Sequence, residues 1–251
     1  FASTRKRYTR VIFLLGNKSE IRNMIDMSNE MPRIIQSESG TQLLSLKPTI
    51  LIEDIFSWSD CPGVIKAEID DSFTWQLRSK TTLRESLLLN TINPFWGALL
   101  LSVDTIIVWE DGSQTPLAQV IRQLGKGTIT QILIPIGITN RKIGKSQVAL
   151  TPKDKPIVGC YASITFDNKK VIKANLVLTG ASKNKLMISE SINKIIGSDF
   201  TTEMIRSVAD KVVETSDPPD DYRGSSDYRL EMARVTTIRA LNECLTGDKN
   251  L

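Results

Sequence analysis

The side chains best equipped for specific chemistry lie together in Pro218-Pro219-Asp220-Asp221-Tyr222-Arg223-Gly224-Ser225-Ser226-Asp227-Tyr228-Arg229, a segment that enters a helix ending Arg239-Ala240-Leu241. A guanidinium presents a planar fork that grips a carboxylate through two hydrogen bonds, and two arginines here follow a pair of acids. The chemistry this supports is docking, the fixing of a loop onto its own domain or onto a neighbouring subunit. The segment contains neither an activated nucleophile nor a metal-ligand cluster. Arg229 falls in the first turn of a helix expected to start at Ser225 or Ser226, where positive charge opposes the helix dipole. A backbone carbonyl or an acid is expected to offset that cost, with Asp220, Asp221 or a partner-subunit carboxylate as candidates.

Composition removes whole classes of function. The 251 residues include no histidine, which excludes Ser-His-Asp hydrolysis and histidine-ligated zinc. Cys61, Cys160 and Cys244 are odd in number and widely spaced, so neither a disulfide framework nor a cysteine metal site is expected, and a cytoplasmic location fits best. The net charge of +4, from 32 Lys+Arg against 28 Asp+Glu, is no footprint for nucleic acid without a basic face. Arg5, Lys6, Arg7 and Arg10 form the only basic patch, read as a solvated terminus or a partner contact. Apolar runs such as Val11–Leu15 fall far short of the roughly 20 residues of a membrane span. No secretory pattern follows Arg10.

The elements that must position the docking segment are read from periodicity and turn residues. Ile34–Ile35 and Ile50–Ile52 read as short buried strands, with Leu43, Leu44 and Leu46 as a packed turn or short helix between them. Asp70-Asp71 reads as a turn before a half-buried strand Phe73–Leu77. Thr82–Leu89 reads as a helix opened by a Thr82/Glu85 capping box, and Leu99–Val103 as the end of a buried helix. Thr105–Trp109 is an expected strand closed by Glu110-Asp111-Gly112. Pro116 opens a short helix to Leu124, and Thr128–Ile134 is a strand limited by Pro135.

A polar, basic stretch between Ile138 and Pro156 divides the chain into residues 1–140 and 141–251. Beyond it, Ile157–Thr165, the turn Asp167–Lys170 and Val171–Leu178 form an antiparallel hairpin. Helices follow at Ser189–Ile196 and at Glu203–Val213, the latter capped by Thr201 or Thr202. The last helix repeats Met232, Val235, Ile238, Leu241 and Leu245 as an apolar stripe. The expected fold class is α+β: an N-terminal α/β part and a C-terminal domain with an antiparallel sheet and packed helices.

From Lys142 to Leu245 the sequence resembles the C-terminal domain of the flavoprotein, or medium, subunit of molybdenum hydroxylases, the group containing xanthine dehydrogenase and aerobic carbon monoxide dehydrogenase. The resemblance rests on an ordered set: the hairpin strands Ala162–Ile164 and Val171–Leu178, Thr179-Gly180-Ala181, an acidic helix start near Glu190, Ile196-Gly197, and Asp221-Tyr222-Arg223-Gly224-Ser225 through Tyr228-Arg229 to Arg239-Ala240-Leu241. Upstream, Lys47–Ile55 and Thr81-Thr82-Leu83 also resemble family segments. Pro32–Leu44 resembles the family's first glycine loop, whose glycines let backbone N–H groups approach the FAD pyrophosphate. Ser39-Gly40-Thr41 is the matching triplet, with Ser39 where a glycine is expected. Thr91-Ile92 resembles the start of the second loop, but Asn93-Pro94 replaces its paired glycines, and Pro94 has no N–H to offer. The Leu83–Leu99 segment is much shorter than the family pattern.

The resemblance implies cofactor contacts at Ser39, Gly40, Thr41, Thr91, Ile92 and Asn93, and places Tyr161 and Lys142 near the flavin ring; Trp96 is a further stacking candidate. No catalytic residue and no metal ligand is implied in this chain. Read by themselves, Ser39-Gly40-Thr41 suit a tight turn, Trp96 suits packed core, and Asp221, Arg223, Tyr228 and Arg229 suit intrachain structure. Two functions remain open. The chain either relays electrons through FAD between an iron–sulfur small subunit, fed by a molybdenum-cofactor large subunit, and an acceptor, or serves that complex as a flavin-free structural and docking subunit.

Overall fold

Two antiparallel sheets are built from alternating and continuous apolar runs. The computed structural model describes residues 31–38, 40–88, 94–121, 127–151 and 154–246. The first sheet comprises β1 (Arg33–Gln36), β2 (Gln42–Leu46), β3 (Ile106–Trp109), β4 (Gln114–Pro116) and β5 (Ile129–Ile136), in the order β1-β2-β5-β3-β4. Successive strand residues point to opposite faces, so Leu44 and Leu46 of β2 share a face with Ile132 and Ile134 of β5 and Ile107 of β3. Among the described residues six helices accompany this sheet, and all but α3 bury residues in its core: α1 (Ile52–Ser57), α2 (Gly63–Ser72), α3 (Trp75–Arg78), α4 (Leu83–Leu88), α5 (Pro94–Ser102) and α6 (Leu117–Val120).

The second sheet has the order β6 (Arg141–Val148), β7 (Val158–Asp167), β8 (Lys170–Thr179) and β9 (Leu186–Ile188). Asn168 and Lys169 turn the β7–β8 hairpin with φ of 46° and 78°, the left-handed pair that matches strand twist in a two-residue loop. One face carries Cys160, Ala162, Ile164, Leu176 and Leu178 against α7 (Thr202–Thr215) and α8 (Ser226–Thr246). The other face carries Tyr161 and Val177 into the N-terminal core. Helix α5 is buried from Phe95 to Ser102 and packs on β7, β8 and β9 as well as on α2, α4 and α6. A helix apolar all round requires such cover on every side.

The α+β class holds, and both sheets are antiparallel throughout. The capping box forms as expected: Thr82 N–H donates to Glu85 Oε2 at 2.8 Å and Glu85 N–H to Thr82 Oγ1 at 3.2 Å. The β7–β8 hairpin and the Thr201 cap on α7 also form.

Several local expectations are corrected. Phe73–Leu77 is not a strand: α2 runs through Asp70-Asp71, Phe73 drops its ring into the core against Trp96, and Trp75 begins α3, 64% exposed. Leu43, Leu44 and Leu46 lie in β2 rather than a turn, whereas Ile50–Ile52 makes only an isolated bridge at Leu51 to Thr82 before α1 starts. Ile34 and Ile35 are in a strand but remain partly exposed. Pro135 sits inside β5; β3 pairs no further along β5 than Leu133, so the missing N–H faces no strand on that side.

The Met232–Leu245 stripe holds only in part: Leu241 is buried and Met232 and Ile238 pack half-buried on the core, but Leu245 is exposed. The rest of the buried face is Arg229, Ala233, Thr236, Thr237, Ala240 and Cys244. Small residues let the helix approach the sheet closely, and Gly144 of β6 completes the seam. A Cβ at Gly144 would lie 1.8 Å from Ala240 O. Gly144→Ala is expected to destabilise the protein by about 3 kcal/mol, the upper range for overpacking, measured by urea unfolding.

Candidate functional site

Two polar clusters tie the N-terminal core to the second sheet. In the first, Glu68 of α2 is 1% exposed and accepts hydrogen bonds from Lys145 Nζ at 2.6 Å, from the Tyr161 hydroxyl and from the Ser72 hydroxyl. Lys145 Nζ also donates to Asp71 Oδ2 at 2.8 Å, and the Lys145 backbone N–H donates to Glu243 Oε2 at 2.6 Å. A buried carboxylate is tolerable because every partner donates to it. Burial pulls the Lys145 pKa down, but Glu68 and Asp71 together more than offset it and hold it above the ordinary 10.5. Burial first, and then the Glu68 carboxylate, drives the Tyr161 hydroxyl well above its ordinary 10.0.

In the second cluster, Arg141 donates to Val103 O at 3.2 Å and Pro135 O at 3.3 Å and reaches Asp104 Oδ2 at 3.5 Å. Asp104, in the left-handed region with φ 63°, also receives Asn175 Nδ2 at 2.9 Å and Lys173 Nζ at 3.0 Å. Asn175 further donates to Ser102 O at the end of α5. Burial lowers the Arg141 pKa, with Asp104 opposing.

The docking segment is organised around Arg229. Its guanidinium, 4% exposed, meets Asp221 Oδ1 at 2.7 Å, while Nη1 donates to Ile157 O at 2.6 Å and Nε to Gly224 O at 3.2 Å. Asp221, hydrogen-bonded first of all by Arg229, is held below the ordinary carboxylate pKa. Ser225 caps α8 through Tyr228 N–H at 3.2 Å. The expected offsets are therefore a carboxylate and two carbonyls of the chain itself.

Of the residues implied as cofactor contacts, Gly40 and Thr41 are among the described residues. Ser39, Thr91, Ile92 and Asn93 lie outside them. Gly40, with φ 81°, and Thr41 lie in the β1–β2 hairpin turn. Gly40 N–H donates to Ser37 O at 2.9 Å and Thr41 N–H to Ser37 Oγ at 3.0 Å, so both amides that a pyrophosphate would use are engaged inside the turn. Trp96 is fully buried, its Nε1 donating to Ser86 Oγ at 3.1 Å. Tyr161 is 2% exposed and stacks obliquely on Phe95 with ring centroids 4.6 Å apart. Lys142 is half-buried in β6, opposite Ile164. No group of three or more potential metal ligands occurs among the described residues, and no described helix is long and apolar enough to cross a membrane.

Residues 147–244 match the CO dehydrogenase flavoprotein C-terminal domain family. The glyceraldehyde dehydrogenase medium chain of Sulfolobus acidocaldarius is 26% identical over 115 residues, 46% of this chain and 41% of that one. The carbon monoxide dehydrogenase medium chain of Hydrogenophaga pseudoflava is 28% identical over 89 residues, 36% and 31% of the two chains. The C-terminal part of the chain, residues 147–244, is thus a domain of the CO dehydrogenase flavoprotein C-terminal type. The matched part of the chain spans less than half the length of either curated relative. The likeness of fold extends further than the sequence match. A structure of H. pseudoflava carbon monoxide dehydrogenase lacking the Mo-pyranopterin moiety superposes with a TM-score of 0.72 at 18% identity, covering 87% of this chain and 79% of that one. Quinoline 2-oxidoreductase from Pseudomonas putida 86 gives 0.69 at 18%, with the same coverage.

The sequence reading missed Glu68 and Lys145 as a pair because they are 77 positions apart. The one local signal was Lys145 itself, a charge in a strand that is buried in part. Lys145→Met leaves Glu68 buried without its cation and is expected to cost about 3–5 kcal/mol in urea unfolding. Lys145 and Tyr161 both hold their protons more tightly folded than unfolded. Their contribution is therefore full below about pH 10 and lost as pH rises through the raised values. Unfolding titrations from about pH 8 to about pH 11 should show that fall, and Tyr161→Phe should flatten it. Arg229→Ala leaves buried carbonyls unpaired and is expected to lower stability by about 3 kcal/mol, with Arg229→Lys recovering only part because the fork is lost.

Proposed function

We propose that this protein serves a molybdenum hydroxylase-type complex as a structural and docking medium subunit, without a flavin relay of its own. In this reading residues 1–140 are a shortened FAD-binding-like domain, and residues 141–251 are the domain that engages a molybdenum-cofactor large subunit and an iron–sulfur small subunit. The observation that carries it is the direct closure of α5 onto the second sheet. Phe95 lies so near Gly159 that a Cβ there would sit 2.6 Å from Phe95 Cε2, and Phe95 packs on Tyr161 while Glu68 holds Lys145. Side chains fill the space between the two halves, and Tyr161, expected near a flavin ring, is committed to that packing. The engaged amides of Gly40 and Thr41 support the same reading.

The alternative is the FAD relay between an iron–sulfur subunit and an acceptor. The Ser39-Gly40-Thr41 resemblance favours it, as does the flavoprotein family matched by residues 147–244. In that case FAD would carry the redox chemistry, and the chain would supply position and electrostatics.

The test is purification of the chain with its associated subunits, with flavin measured after acid extraction and partners identified by mass spectrometry. The expected result is co-purifying molybdenum-cofactor and iron–sulfur subunits with far less than one flavin per copy of this chain. One tightly bound FAD per copy would establish the relay instead.

A further inference from the structure

Tyr222 is 97% exposed, the most exposed large side chain with an apolar body among the described residues, yet the loop that carries it is held from every side. Asp221 N–H donates to Gly224 O at 3.3 Å and Gly224 N–H to Asp221 O at 3.1 Å, closing a turn with Tyr222 and Arg223 at its tip. Arg223 N–H donates to Asp221 Oδ1 at 2.9 Å, and the Arg223 guanidinium donates to Lys155 O. From below, Arg229 clamps both Asp221 and Gly224. An aromatic on a loop already ordered loses little entropy on contact, which is the character of an interface anchor.

Its surroundings are cationic. Arg223 comes from the loop before α8, Lys155 from the segment before β7, and Lys185 from the segment before β9. Burial first, and then the like charges of Lys185 and Arg223, lower the Lys155 pKa. Among the described residues, no ion pair reaches Lys155 or Lys185, whereas neighbouring Lys183 is neutralised by Asp217 at 2.8 Å. Three segments thus bring like charges together, and of the three side chains only Arg223 serves the fold, through its hydrogen bond to Lys155 O.

We propose that Tyr222, with Lys155, Lys185 and Arg223, is the contact surface for an acidic patch on a partner polypeptide of the complex. The aromatic ring fills a pocket and the cations meet carboxylates around it, in the usual arrangement of an anchor within a charged rim. Carboxylates of Asp217, Asp220 and Asp221 lie among these residues in sequence, which favours a protein surface of mixed charge over a polyphosphate backbone. The proposal rests on the docking reading above and names where on the chain that docking occurs.

Zero-length carbodiimide cross-linking of the complex purified with its associated subunits tests it, with peptides identified by mass spectrometry. The Lys183–Asp217 pair supplies an internal control on the same region. The expected result is a link from Lys155 or Lys185 to an Asp or Glu of a different polypeptide. In parallel, Tyr222→Ala should weaken association by about tenfold or more, and Lys155→Glu with Lys185→Glu should weaken it and abolish its salt sensitivity, all with unchanged circular dichroism. If the complex assembles and the control link forms, but neither lysine reaches a second polypeptide and the variants associate normally, this surface is wrong and the docking reading stands. If the wild-type chain retains no partner, the docking reading falls and the surface with it. A link to another copy of this chain, or displacement of the partner by a single-stranded oligonucleotide, also overturns the proposal.

Discussion

A helix with no polar side is stable in water only when covered all round, and α5 obtains that cover from two sheets at once. Its residues Phe95 to Ser102 are all buried, packed on the helices of the N-terminal core and on β7, β8 and β9. The second sheet is therefore buried on both faces, with α7 and α8 covering one and α5 the other. Everything polar at the junction follows from this. Glu68 and Arg141 are forced away from water along with α5, and each finds its partner within the protein, in the half-buried Lys145 and Asp104. The two clusters lie on either side of the same apolar contact and fix its register as well as its depth.

What could be read from the sequence was what neighbours in sequence decide. The β7–β8 hairpin was legible because two apolar runs flank a four-residue polar turn, and the Thr82/Glu85 box because capping is a three-residue affair. Phe73–Leu77 misled because alternation over five residues also fits a helix end, an extended residue and a new helix start. The final helix misled for a different reason. Its largest apolar residues suggested a buried stripe, but proximity to Gly144 selects small side chains there, so Ala233, Ala240 and Cys244 are buried beside Leu241 while Leu245 stays exposed.

The candidate site divides along the same line. Asp221 and Arg229 are eight positions apart, and their pairing was foreseen as one of several offsets for a cation at a helix start. The Glu68–Tyr161 contact spans 93 positions, and no periodicity in either segment announces the other. Asp70-Asp71 resembled a turn in isolation, yet both carboxylates continue a helix and reach across to Arg78 and Lys145. Side chains that fasten one layer to another carry no pattern of their own, since the burial that makes them matter belongs to the assembled fold.

The seam between α8 and the second sheet has a chemical consequence. Cys160 lies on the sheet and Cys244 on the helix, both buried; desolvation raises the thiol of Cys160 to about 12 and that of Cys244 higher still. Neither forms an appreciable thiolate at neutral pH, so neither reacts with an alkylating reagent while the seam is closed. Their labelling therefore reports how often α8 leaves the sheet. The protein carries, in two silent thiols, a clock for the opening of its C-terminal half.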